Sequence, residues 1–182
     1  MSLYLDGMSK LSKGYVQVYT GDGKGKTTAA FGLALRAVGA GLKVFIAQFV
    51  KGMHYSELDA LKRFGDEITI RQYGRDCFIH HEPTEADIAC ARQGLEEVSR
   101  VISSGDYQLV ILDEANIATY YKLFGVEELL DVISDRPDDV EIVITGRKAD
   151  PQVIEAADLI TEMLEVRHYY AKGIEARKGI EM

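Results

Sequence analysis

The chain has 182 residues, 47% hydrophobic and 27% charged, which is ordinary globular composition and enough sequence for one domain with a sizeable core. Lys and Arg number 21 against 29 Asp and Glu, a formal net charge of -8 with no basic stripe, and this argues against a nucleic-acid partner. The longest apolar runs fall far short of the roughly 20 residues that cross a bilayer, and the first residues carry no signal or transit pattern, so a soluble, cytoplasmic protein without a membrane partner is expected.

Residues 1–13 are read as a flexible N-terminal segment and 14–182 as a single domain, since no repeat, low-complexity tract or linker divides the chain. Tyr15 to Tyr19 is the first predicted strand, followed by a glycine-rich turn and a helix from about Lys26 to Val38, ended by Gly39 and Gly41. Leu42 to Val50 is a second strand, Ser56 to Phe64 a short helix with Ser56 as its N-cap, and Ile68 to Tyr73 a third strand. Residues 74–83 then form an irregular loop with aromatic and ionisable groups, a place for ligand contact. Thr84 and Asp87 resemble a capping box. Ile88, Ala91, Leu95, Val98 and Ile102 trace the buried face of a long helix ending near Gly105. Leu109 to Leu112, Val140 to Thr145 and Leu159 to Leu164 complete the strands. Alternating strands and helices predict an α/β fold with a mostly parallel sheet covered on both faces.

The sharpest motif is Thr20-Gly21-Asp22-Gly23-Lys24-Gly25-Lys26-Thr27-Thr28, between the first strand and first helix. Glycines let backbone N–H groups turn toward phosphate oxygens, the helix adds its positive end, and Lys26 adds a full charge. The strict pattern wants glycine where Thr20 stands, so this is a shortened, variant phosphate loop. A flexible turn with solvated lysines is the bland alternative, and the placement of strand, turn and helix speaks against it. Asp113 and Glu114, at the end of an apolar strand, pair with Thr27 as candidate Mg²⁺ ligands.

With those residues in view, the chain resembles the P-loop cob(I)alamin (corrinoid) adenosyltransferases over most of its length. The resemblance rests on residues 21–41 (GDGKGKTTAAFGLALRAVGAG), 48–52 (QFVKG), 85–94 (EADIACARQG), 110–118 (VILDEANIA), 143–163 (VITGRKADPQVIEAADLITEM) and 173–181 (GIEARKGIE). It implies a RecA-like fold and transfer of the 5′-deoxyadenosyl group of ATP to the Co(I) of a corrinoid, with triphosphate leaving. It also implies Mg²⁺ as cofactor, ATP and cob(I)alamin as substrates, a flavoprotein reductase as electron donor, and a homodimer. Gly21, Asp22, Gly23, Lys24, Gly25, Lys26, Thr27, Thr28 and Arg147 are then the nucleotide-binding residues, Thr27, Asp113 and Glu114 the metal ligands, and Lys26 and Phe78 the catalytic pair.

Two departures from the family pattern stand out. Asp22 replaces an Asn of the family loop and should turn outward or be offset by Lys24. The family's Phe and Trp after the third strand are not reproduced, and Phe78, with Tyr73 beside it, is the nearest substitute for packing under cobalt. Cys77 and Cys90 lack CxxC or HxxxH company and read as reduced thiols, and His80 and His81 as polar loop residues. Arg147 is balanced between phosphate contact and a loop-ordering salt bridge; Arg36 and Lys51 match the family pattern but are equally readable as ordinary helix-surface and turn charges, and neither is taken as a main site residue. Tyr169 and Tyr170 either cover the corrin edge or pack. Two other readings stay open at this level: a conventional P-loop ATPase or small-molecule kinase, and a nucleotide-gated corrinoid carrier.

Overall fold

In the computed structural model, which describes residues 10–75 and 82–181, six strands form one parallel sheet. They are β1 (Val16–Thr20), β2 (Val44–Phe49), β3 (Ile68–Tyr73), β4 (Leu109–Asp113), β5 (Glu141–Thr145) and β6 (Leu159–Glu162). Their order across the sheet is β3-β2-β4-β5-β1-β6, and every pairing is parallel. All carboxyl ends therefore point to one edge, where open α/β sheets bind ligands.

The period of two along each inner strand sorts side chains between two cores. Leu109, Ile111, Val44, Ile46 and Val143 face α1 (Lys26–Gly39), whose Ala30, Phe31, Ala34 and Ala37 pack against them. Val110, Leu112, Phe45, Ala47, Ile142 and Ile144 face the other way, toward α3 (Glu85–Ser104), α4 (Ala115–Tyr120), α5 (Val126–Ser134) and α6 (Pro151–Ala156). The expected α/β architecture is thus present, with helices on both faces.

The Thr84–Asp87 capping box forms as expected, with the Asp87 N–H donating to Thr84 Oγ1 at 3.3 Å and the Thr84 N–H to Asp87 Oδ2 at 2.9 Å. Gly105 closes α3 in the left-handed region at φ 71°. In the middle of α3, Gly94 has no room for a side chain: a Cβ there would lie 2.4 Å from the Tyr73 ring. Tyr73 is consequently a core residue, also packed on Phe49 at 5.7 Å, and not a face offered to a ligand.

Other expectations need correcting. α2 spans only Ser56–Leu61, its N-cap is Tyr55 rather than Ser56, and a 3₁₀ stretch, Lys62–Glu67, continues it. Gly39 is the last residue of α1, and Gly41 alone takes the left-handed conformation, φ 81°. The sequence reading placed no helix between β4 and β6, where α4, α5 and α6 lie; two of them are only six residues long and show little periodicity. β6 is an edge strand exposed at all four positions, so helices do not cover it.

Candidate active site

Thr20 to Lys26 turns sharply because Gly21 and Gly25 adopt φ 89° and 116°, a region that L side chains rarely enter. The strand leaving β6 lies directly against this turn. A Cβ on Gly21 would sit 2.4 Å from the Met163 carbonyl oxygen, and one on Gly23 2.7 Å from that of Leu164. The Gly23 N–H donates to Met163 O at 2.6 Å, so this amide is engaged by the chain itself. Ala29 makes the first intrahelical bond, to Gly25 O. The amides of Lys26, Thr27 and Thr28 therefore remain outside the helix ladder and available to an anion.

Lys26 turns back into the loop. Its Nζ donates to Gly21 O and Gly23 O, both at 2.7 Å, and burial depresses its pKa. A polyphosphate bound here has an ammonium already desolvated and aimed at the centre of the turn.

Asp113 is fully buried at the end of β4, and four donors surround it. Oδ1 accepts from Thr27 Oγ1 at 2.8 Å and Thr145 Oγ1 at 2.7 Å; Oδ2 accepts from Lys51 Nζ at 2.8 Å and Gln48 Nε2 at 3.1 Å. Burial opposes the Asp113 charge, but the Lys51 ammonium and these hydrogen bonds outweigh it and hold the carboxyl below its ordinary range. Its neighbour Glu114 sits at φ 61°, its N–H held by Thr145 Oγ1 at 3.0 Å, and burial together with the Asp113 charge raises its pKa. The donors gathered here, Thr27 Oγ1 and two carboxylates, are all oxygen, the set that suits Mg²⁺ beside a phosphate chain.

Apart from Phe78, the expected site residues lie at one edge of the sheet, and some have other partners than expected. Asp22 turns outward as anticipated, but its nearest cation is Arg147, 4.0 Å away, not Lys24. Lys24 instead reaches the C-terminal segment, contacting Ile180 O at 3.0 Å and Glu181 Oε1 at 3.1 Å. Tyr169 joins this cluster by donating its hydroxyl to Glu181, and Tyr170 is exposed. Thr28 is exposed at the start of α1. Phe78, Cys77, His80 and His81 lie outside the described residues, and Cys90 is a free, half-buried thiol.

Sequence reasoning missed Gln48, Thr145 and above all Lys51. Lys51 is only 12% exposed and bridges Asp113 and Thr27 Oγ1, the latter at 3.1 Å, so it is not an ordinary turn charge. Its position within QFVKG, one of the segments that carry the resemblance, was the available signal.

A cleft of about 810 Å³ opens beside these groups. Its lining combines the phosphate loop, Lys51, Glu114 and Arg147 with the more apolar Phe31 and Leu35 of α1, Tyr55 and Ala60, and with His168 and Ile180 of the tail. Among the described residues no helix is long and apolar enough to cross a membrane, and no cluster of three or more His, Cys, Asp or Glu residues forms a metal site.

A parallel sheet with a glycine turn and inward lysine after β1, and a buried acid at the end of β4, defines the class of P-loop nucleotide-binding α/β proteins. Within that class, residues 12–182 match the model of the family described as ATP:corrinoid adenosyltransferase BtuR/CobO/CobP, and the chain belongs to this family. It is 38% identical over 170 residues to a corrinoid adenosyltransferase of Pseudomonas aeruginosa, covering 93% of this chain and 84% of that one. A corrinoid adenosyltransferase of Escherichia coli K12 is 35% identical, and the corrinoid adenosyltransferase CobA of Salmonella typhimurium 34%, each over 93% of this chain and 86% of its own length.

Proposed function

We propose that this protein transfers the 5′-deoxyadenosyl group of ATP to the Co(I) centre of a corrinoid and releases inorganic triphosphate. The observation that carries this reading is a phosphate loop with its buried lysine lining a cleft of about 810 Å³, in a chain of this family.

In the transfer a cobalt–carbon bond forms at C5′ while the C5′–O bond breaks, and the electron pair leaves on the triphosphate. No proton need move, so no side chain is assigned as a general base. The work of the protein is to position the polyanion and stabilise its growing charge. Lys26 and the amides of Lys26, Thr27 and Thr28 hold the leaving group; Arg147 lies at the open rim, where it meets charge on the nucleotide. Thr27, Asp113 and Glu114 are the residues to hold Mg²⁺, which neutralises phosphate charge when bound. Phe78 is assigned to the corrinoid, where its apolar ring would favour reduction of Co(II). A flavoprotein reductase supplies that electron, and the working unit is a cytoplasmic homodimer.

The test is anaerobic incubation with ATP, Mg²⁺ and chemically reduced cobalamin, followed by absorption spectroscopy for the cobalt–carbon product. Many turnovers per protein are expected. Product limited to one equivalent would mark a carrier, and ADP formation without a spectral change would mark an ATPase or kinase.

A further inference from the structure

Lys51 is held in place at a cost that an ordinary turn lysine does not carry. The residue before it, Val50, is β-branched and yet sits at φ 61°, in the left-handed region that such residues avoid. Gly74 has no space for a side chain because a Cβ there would lie 2.4 Å from Lys51 N, and a Cβ on Gly52 would lie 2.3 Å from the Arg75 backbone. The loops after β2 and β3 are therefore pressed together through two glycines, and the result is a lysine directed inward under the sheet edge.

Its target is already crowded. Each oxygen of Asp113 accepts two hydrogen bonds, which fills the acceptor positions of the carboxylate. A divalent cation drawing on Thr27 Oγ1 and Asp113 needs one donor to withdraw. Gln48 and Thr145 are fully buried on central strands and cannot. Lys51 is the charged donor of the set, lies on a loop, lines the cleft, and has the Tyr55 ring 5.7 Å from its Nζ on the cleft side. That ring offers the ammonium a second resting place.

We propose that Lys51 is a positioning cation that exchanges partners: it holds Asp113 and Thr27 when no divalent cation is bound, and yields that position on loading to pair with the polyphosphate. This rests on the polyphosphate reading of the site. The exchange keeps the buried Asp113 charge compensated at every stage, and it adds a cation to the leaving group only when metal and phosphate chain are both present.

The test uses Mn²⁺ and inorganic triphosphate with the full chain. Lys51→Met is expected to tighten Mn²⁺ binding without nucleotide about tenfold, read by electron paramagnetic resonance, because the competing ammonium is gone. The same variant should weaken triphosphate binding about tenfold with Mn²⁺ present but less than about twofold without it. Lys51→Gln, which keeps a donor for Asp113 and guards against loss of fold, should shift both quantities in the same direction by less. Unchanged Mn²⁺ affinity, or equal triphosphate losses with and without Mn²⁺, would overturn the exchange and leave Lys51 a fixed structural or phosphate contact. If the unaltered protein takes up no triphosphate under either condition, the polyphosphate reading itself fails.

Discussion

Lys24 and Glu181 stand 157 positions apart and meet at 3.1 Å, which ties the end of the chain to the phosphate loop. Arg177 closes the same carboxylate from within the tail, at 3.2 Å, and Tyr169 donates to it as well. Arg177 first, then Tyr169 and Lys24, hold the Glu181 carboxyl well below the ordinary range. The clamp is therefore present at neutral and mildly acidic pH and is lost as pH falls through the depressed value. Glu181→Gln should speed amide hydrogen exchange across residues 169–181 by about three- to tenfold while leaving β4 and α1 unchanged, and ATP should bind more weakly because one wall of the cleft loosens. Unaltered exchange in the tail would show that the ion pair does not hold it.

The charge on Lys26 is held at a cost to stability, which the proposed binding role accounts for. Burial lowers its pKa, so the charged form carries a cost in the folded protein at any pH below the ordinary lysine value. Lys26→Met should leave thermal stability at neutral pH within about 1 kcal/mol of the parent, yet weaken triphosphate binding by about 10- to 100-fold. Calorimetric binding and melting of the two proteins check both halves. A variant that binds triphosphate normally would remove Lys26 from the site.

Glu114 shows the opposite balance from Asp113. Its folded pKa is raised, by burial first and then by Asp113, so its ionised form opposes folding once pH rises above that value, and the penalty vanishes below the unfolded value. Glu114→Gln should thus stabilise the protein at neutral pH by about 1 kcal/mol, and the gain should disappear in acid. The same change should reduce Mn²⁺ binding in the presence of triphosphate. Denaturation curves across pH decide it, and a gain that grows toward low pH would contradict the assignment.

Gly94→Ala tests the packing beneath the loop after β3. Alanine favours a helix over glycine by about 1 kcal/mol, but here its Cβ would press on the Tyr73 ring at 2.4 Å. The clash should win, with a net loss of about 1–3 kcal/mol in urea denaturation. Equal or higher stability would mean that Tyr73 moves freely aside.

Local and contiguous features were legible in the sequence. The loop from Gly21 to Thr28, the apolar strand ending in Asp113-Glu114, and the Thr84–Asp87 cap each lie within a few residues, so spacing alone carries their physics. Lys51 was marked only by its match to the family pattern and its contacts were not legible, because its inward aim depends on Val50 at φ 61° and on Gly74, which contacts it from another loop. Thr145 escaped notice for a similar reason: it meets Asp113 only because β4 and β5 are neighbours in the sheet. The partner of Lys24 could not be read from a turn whose counter-ion lies at the far end of the chain. The exposure of β6 follows from its place at the sheet edge, which its apolar composition conceals.

The most direct measurement is phosphorus NMR of the anaerobic reaction mixture, quantified against the cobalt–carbon product in the same sample. Intact inorganic triphosphate should accumulate in equal amount with adenosylated corrinoid, because in the proposed transfer the whole phosphate chain departs as one leaving group. Formation of ADP and phosphate, or of adenosylated corrinoid without triphosphate, would contradict that claim.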